Sequence, residues 1–176
     1  MPIKSFDQSG NVLYLGSLSK SLAPGMRIGW IVGSESVIER LGDIKMQTDY
    51  GASSVSQWMM TYLLSSGLYD KHLKEIRRAL KLRCDHVLKC LKAHFSDIAS
   101  WNQPSGGFYI WLKLNRVIST EKLFNSLLEQ KVLINPGYIY THKKSSYIRL
   151  SYSYASMKDM EKGLIILSEV IRSINI

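Results

Sequence analysis

A mixed α/β fold is predicted by three observations. Two short apolar runs, residues 12–15 and 28–32, are bounded by Gly, Ser and Pro and read as buried strands. Residues 68–95 repeat apolar side chains at helical spacing with no Gly or Pro among them. From Trp101 onward the pattern runs strand, helix, strand, strand, helix, which reads as an α/β lobe of its own.

The composition supports a packed fold. Of 176 residues, 45% are hydrophobic and 10% aromatic, which argues for a core and against disorder. No apolar run approaches the roughly 18 residues that a membrane span needs, and no charged segment followed by an apolar one marks a signal peptide. Two cysteines, Cys84 and Cys90, fall on different faces of a helical pattern and fit a reducing, cytoplasmic setting. The net charge is +9. Its one dense patch, residues 71–92, reads as a solvated helix face, so DNA binding is not inferred from this part of the chain.

The elements follow in order. Asp7-Gln8-Ser9-Gly10-Asn11 is a turn signal. Strand one covers residues 12–15 and strand two residues 28–32. A strand pair this apolar wants sheet neighbours on both sides and cover on both faces. Residues 2–7 offer neither, so the chain reads as the C-terminal part of a longer protein. Ser34 is placed to cap a short helix over residues 35–42, and residues 47–51 read as loop. Ser53 or Ser54 caps a helix carrying Val55, Trp58, Met59, Tyr62 and Leu63, which Gly67 ends. In the long helix, Leu73, Ile76, Leu80, Cys84, Val87 and Leu91 make one apolar stripe. Met46, Met59, Met60 and Met160 read as core or interface fillers.

After a turn at residues 104–107, residues 108–114 alternate Phe108, Ile110, Leu112 and Leu114 against Tyr109, Trp111 and Lys113, the period of a half-buried strand. Thr120 caps a helix with Leu123, Phe124, Leu127 and Leu128. Val132-Leu133-Ile134 reads as a short strand stopped by Asn135-Pro136-Gly137, and residues 147–153 as another. Ser156 and Asp159 resemble a capping box. The helix after them carries Met160, Leu164, Leu167, Ile171 and Ile174 on one stripe.

The chemistry concentrates between strands one and two, in Ser17-Leu18-Ser19-Lys20-Ser21-Leu22-Ala23-Pro24-Gly25-Met26-Arg27. Two cations and three hydroxyls between buried strands suggest a site for an anion. A lysine becomes nucleophilic when desolvation or a neighbouring cation disfavours its ammonium form. Ser17, Ser19 and Arg27 together can hold a phosphate dianion. A lysine beside a phosphate cradle fits a covalent link to pyridoxal phosphate. Spacing alone leaves open a second reading, a surface loop with solvated charges.

The same residues carry a resemblance. Ser17 to Trp30 resembles the lysine loop of fold-type I, class I/II aminotransferases. Asn102-Gln103-Pro104-Ser105-Gly106-Gly107-Phe108-Tyr109-Ile110-Trp111 is similar to that family's small-domain opening strand, and Asn135-Pro136-Gly137 to its later turn. Tyr147-Ile148-Arg149-Leu150-Ser151-Tyr152-Ser153 resembles the strand whose arginine clamps the substrate α-carboxylate. The resemblance implies pyridoxal 5'-phosphate as cofactor and Lys20 as the residue forming the internal aldimine and shuttling the proton between Cα and the cofactor. It implies Ser17, Ser19 and Arg27 on the phosphate and Arg149 on the carboxylate of an amino acid or 2-oxo acid. Alternation agrees about Arg149, which falls on the face opposite Ile148, Leu150 and Tyr152.

What the family implies for the fold is the C-terminal portion of the cofactor-binding large domain plus an α/β small domain. Residues 1–45 would complete the large domain, 46–100 would be an interdomain helical segment, and 101–176 the small domain. Arg149 would face Lys20 across the gap. A homodimer is implied as well. Lys45-Met46-Gln47-Thr48-Asp49-Tyr50-Gly51-Ala52-Ser53-Ser54 and residues 2–7 resemble MocR-type regulators of the GntR family. Those fuse a winged helix-turn-helix to an aminotransferase-like, effector-sensing domain. DNA would then be bound only by a domain outside this chain. The family's first half, with its phosphate loop, ring-stacking aromatic and pyridinium-pairing Asp, has no counterpart here, so the piece alone is expected not to catalyse transamination. Three readings stay open: an aminotransferase, a regulator's sensing domain, and an inert fragment whose fold is intact but whose site is incomplete.

One further constellation, His86, Cys90 and His94, lies at i, i+4 and i+8 of the long helix. It reads as a helix flank rather than a metal site, and no metal is expected. His72 and His142 suggest nothing specific.

Overall fold

The computed structural model describes residues 1–141 and 145–174; His142 lies outside them. The chain divides into two compact units, Met1–Glu75 and Ile76–Ile176. Among the described residues no helix is long and apolar enough to cross a membrane.

The first unit begins with a 3-10 turn, Ile3–Phe6. The Asp7 carboxylate then gathers the Lys4 ammonium at 2.7 Å, the Ser9 amide at 3.1 Å and the Val12 amide at 3.2 Å. Foremost through Lys4, these partners hold its carboxyl well below the usual carboxylate range. β1 (Tyr14–Ser17) and β2 (Gly29–Val32) pair antiparallel, with Gly16 opposite Trp30 and Ser17 opposite Gly29. They form a sheet of two strands.

β2 lies where the sequence puts it, whereas β1 runs two residues later than expected, to Ser17, and neither strand is buried. Leu15 is 68% exposed, and Trp30, Ile31 and Val32 are exposed too. A continuous apolar run signals a strand covered on both faces, and the described residues do not supply that cover.

α1 (Glu35–Thr48) continues past Gly42, where the sequence suggests a stop. A single Gly costs a helix only about 1 kcal/mol. Lys45 bonds Asp49 one turn on, at 2.8 Å, and the Asp49 side chain takes the Gly51 amide. The loop therefore starts at Asp49. α2 (Ser54–Ser65) is capped by Ser53, whose hydroxyl accepts from the Ser56 amide. Of its apolar residues Met60 is buried, while Trp58 is 71% exposed and stacks on Tyr62 at 6.3 Å. Met60 and Met160 are buried as core fillers, while Met46 and Met59 are exposed. Gly67, at φ 72°, ends α2, and α3 (Leu68–His94) follows.

The second unit contains the core. β3 (Ala99–Trp101), β4 (Tyr109–Leu114), β6 (Tyr147–Ser151) and β5 (Asn135–Pro136) form an antiparallel sheet in that order. Ile110, Leu112 and Ile148 are fully buried on one face, in a cluster with Val87 and Leu91 of α3. α4 (Thr120–Glu129) adds Leu123 and Leu127 to it, and α6 (Met157–Ser173) adds Leu164, Leu167 and Ile171. Each such side chain contributes about 1.5–3 kcal/mol by leaving water. The alternation in residues 108–114 is realised, with Ile110, Leu112 and Leu114 buried and Trp111 and Lys113 exposed.

Three local expectations shift. Ser119, not Thr120, caps α4, accepting from the Lys122 amide at 3.3 Å. Residues 132–134 are not a strand: Lys131 adopts φ 60°, and the Val132 amide returns to the Leu127 carbonyl, so they form the helix exit. The strand is Asn135–Pro136, on the sheet edge where a proline without an N–H is tolerated. β6 stops at Ser151, two residues early, and a short helix, α5 (Tyr138–Thr141), precedes it.

Candidate functional site

In the first unit the end of β1 carries Ser17, and the β1–β2 connection carries Ser19, Lys20 and Arg27. The Leu18 amide bonds the Ile28 carbonyl at 3.1 Å, which closes the connection and sets residues 17–19 beside Arg27 and its neighbours. Leu18 is fully buried and anchors it. The Leu22 and Ala23 amides both turn back to the Leu18 carbonyl, which coils residues 18–23 into a helical turn. The Ser17 hydroxyl accepts from the Ser19 amide at 3.2 Å and keeps its own proton free to donate.

Arg27 sits at φ 53°, in the left-handed region, as the cap of the 3-10 turn Pro24–Met26. Its guanidinium makes one long bond, 3.4 Å, to the Pro24 carbonyl. Lys20 is exposed, so the burial anticipated for it is not supplied by the described residues. Its ammonium has no protein partner among them. One loop thus collects a lysine, an arginine and two serines with donors to spare and no carboxylate to neutralise them. That donor set suits a phosphate dianion next to an amine-reactive carbonyl, so the residues present fit pyridoxal phosphate.

In the second unit Arg149 occupies the middle of the sheet face opposite the core. Its register partners are Trp111 on β4 and Asn135 on β5. Tyr109 and Tyr140 come to 4.0 and 4.5 Å from its Cζ, measured to the ring centroids. Trp111 meets Tyr140 edge-on at 5.3 Å and Tyr147 at 6.3 Å, and Lys113 Nζ lies 6.0 Å over the Tyr147 ring. The Arg149 Nε is buried and makes no hydrogen bond. An unsatisfied buried donor costs about 1–3 kcal/mol, and the Arg149 guanidinium has no acceptor among the described residues.

The sequence points to Arg149 but not to the rings around it. Tyr109 was legible in principle, because alternation and antiparallel pairing put it on the same face. Tyr140 stands in a four-residue helix that carries no periodic signal. Also missed is Tyr69, whose hydroxyl lies 2.9 Å from that of Ser21.

His86 and Cys90 approach to 3.8 Å, and His86 Nε2 lies 3.7 Å from Glu161. Burial, and then the Glu161 charge, push the Cys90 thiol up, which keeps it protonated and unreactive. No group of three His, Cys, Asp or Glu among the described residues could hold a metal ion. Both cysteines are free and buried.

The family model for aminotransferase class I and II matches residues 3–165. YdfD, an uncharacterized HTH-type transcriptional regulator of Bacillus subtilis, is 50% identical over 98% of this chain and 36% of its own length. NorG, an HTH-type transcriptional regulator of Staphylococcus aureus, is 46% identical over 92% of this chain and 37% of its own. The chain thus spans about a third of the length of the curated relatives it matches. Among solved structures, kynurenine aminotransferase of Pyrococcus horikoshii, in complex with PMP, aligns with TM-score 0.91 and 32% identity over 96% of this chain and 42% of that one. LysN of Thermus thermophilus, an α-aminoadipate aminotransferase complexed with N-(5'-phosphopyridoxyl)-L-leucine, aligns with TM-score 0.85 and 27% identity over 93% and 42%.

Proposed function

Since the chain belongs to the class I and II aminotransferase family, we propose that it is the part of a pyridoxal phosphate-holding, amino acid-binding domain that carries Lys20 and Arg149, and that in the whole protein this domain reports an effector to a DNA-binding module. The observation that carries the reading is the guanidinium of Arg149, buried at Nε and unpaired. It supports Arg149 as the receptor for the carboxylate of an amino acid or 2-oxo acid.

Lys20 would hold the cofactor covalently through Nζ, with Ser17, Ser19 and Arg27 donating to its phosphate. When bound, the cofactor supplies an electron sink that loosens the bonds at the Cα of an amino acid. Lys20 Nζ would also be the group to take up the Cα proton. In this reading residues 1–45 complete the cofactor domain, 46–100 link the domains, and 101–176 form the small domain. A cytoplasmic homodimer goes with it.

The regulator is favoured over the enzyme by kinship: the relatives at 46–50% identity are HTH-type regulators, whereas the aminotransferase structures named above are 27–32% identical. The test uses the full-length protein. Pyridoxal phosphate should give a visible absorbance band that Lys20→Ala abolishes, and a band retained in that variant would refute the role of Lys20. Amino acid-dependent DNA binding without turnover would support the regulator; steady turnover of an amino donor and a keto acceptor would support the enzyme.

A further inference from the structure

Resting on the reading of Arg149 as a carboxylate receptor, we propose that Tyr109 and Tyr140 are its positioning residues: the two rings flank the guanidinium and leave only its Nη edge to the ligand, so the carboxylate binds end-on and in plane. The ring centroids lie 4.0 and 4.5 Å from Cζ. Two rings this close to one carbon, with no ring contact between them among the described aromatic pairs, stand apart around it, which suits one on each side of the guanidinium plane. A guanidinium is attracted to a ring face by the ring quadrupole and stacks on it through its own planar system. With one ring on each side, both faces of Arg149 are taken by its own protein.

What remains is the rim of the plane. Nε is buried on that rim, and the Arg149 side chain forms no ion pair or hydrogen bond among the described residues. The two Nη groups are the donors left. They match the two oxygens of a carboxylate as a parallel pair of charge-assisted bonds. A carboxamide offers one acceptor and one clashing donor to the same edge.

The clamp also acts before the ligand arrives. A free arginine side chain loses rotamer freedom when it binds, and that loss weakens affinity. Tyr109 is held in β4, two residues from Trp111, and Tyr140 is backed edge-on by Trp111 at 5.3 Å. The rings so fixed hold the guanidinium ordered in advance. The stacking uses the ring faces and not the phenol oxygens, so phenylalanine should serve as well as tyrosine.

The test is calorimetric, on the full-length protein saturated with pyridoxal phosphate. Its probes are the standard L-amino acid that binds the wild type most tightly in a screen of the twenty, and the primary carboxamide of that amino acid. Tyr109→Leu and Tyr140→Leu should each weaken the acid about tenfold and narrow its preference over the carboxamide. Tyr109→Phe and Tyr140→Phe should leave both unchanged. Arg149→Lys should abolish the preference, and adding Tyr140→Leu to it should change nothing further. If a leucine variant does not fold by thermal melting, Tyr109→Met or Tyr140→Met fills the space without a ring face and takes its place. An acid preference that survives the leucine variants but not Arg149→Lys would overturn the clamp and leave Arg149 its role. A preference that survives Arg149→Lys, or a screen in which none of the twenty binds, would overturn both.

Discussion

The hydroxyls of Ser21 and Tyr69 lie 2.9 Å apart and tie the loop that carries Lys20 to the first turn of α3. Ser21 follows Lys20 directly, so the tie limits how far the lysine can drift. Tyr69→Phe keeps the ring and removes the bond, a change of about 1 kcal/mol. Amide hydrogen exchange across residues 18–23 is expected to quicken, and pyridoxal phosphate affinity in the full-length protein to fall several-fold. Unchanged exchange would show that Leu18, fully buried, fixes the loop without help from Tyr69.

Gly16 faces Trp30 directly across the β1–β2 ladder. A Cβ at Gly16 would lie 2.1 Å from Cε2 of the indole, well inside contact distance. Gly16→Ala must therefore push the ring aside or break the register that positions Ser17 opposite Gly29. Overpacking of this kind costs about 1–3 kcal/mol. The near-ultraviolet circular dichroism should change in the tryptophan region, and the cofactor absorbance of the full-length protein should weaken with it.

How far the sequence could be read depends on which signal each residue carries. Ile110, Leu112 and Leu114 alternate strictly, and the core of the second unit is built on them as expected. α3 and α6 have long apolar stripes, α6 behind a capping Ser156, and they too lie where periodicity puts them. β1 and β2 were legible as strands because residues such as Leu15 and Ile31 are apolar, but their exposure was not. Apolarity records what a strand is made to touch, and the described residues leave these two exposed. Residues 132–134 misled for the opposite reason. Val132, Leu133 and Ile134 have the composition of a strand, yet a left-handed Lys131 and a returning Val132 amide commit them to ending a helix. Arg149 was found by its position in a strand. Tyr140, which stacks on it, could be found only by folding the chain.

Tyr152 gives a test at alkaline pH. Its phenol donates to the Gly107 carbonyl at 2.7 Å and is almost wholly buried, and burial is the main reason its pKa is pushed up to about 12. In the unfolded chain a tyrosine loses its proton near pH 10. Below that pH both states are neutral at this position and its contribution to stability is complete. Between about pH 10 and 12 the unfolded state ionises first, so stability falls as pH rises. Tyr152→Phe removes this group from the balance. Urea midpoints measured at pH 9 and pH 11 should fall more steeply for the wild type than for the variant. Parallel declines would mean that the phenol titrates normally.

Arg83, on α3, joins the segment after β6 to the long helix. Its Nε donates to the Tyr152 carbonyl at 2.5 Å, and its Nη2 donates to the Ala155 carbonyl. These two carbonyls lie between the strand bearing Arg149 and α6, where no ladder partner serves them. Arg83→Met keeps much of the aliphatic bulk but leaves both acceptors without their donor. Each loss of this type costs about 1–3 kcal/mol, so the variant should unfold at clearly lower urea. Arg83→Lys should recover only part of the loss, since one ammonium cannot reproduce the planar fork that reaches two carbonyls at once. Tyr152 stands three residues beyond Arg149, so slack at Arg83 should reach Arg149. Amino acid affinity in the full-length protein should drop in Arg83→Met even at temperatures where the protein remains folded. A variant as stable and as tight-binding as the wild type would mean that water satisfies the two carbonyls as well as the guanidinium does.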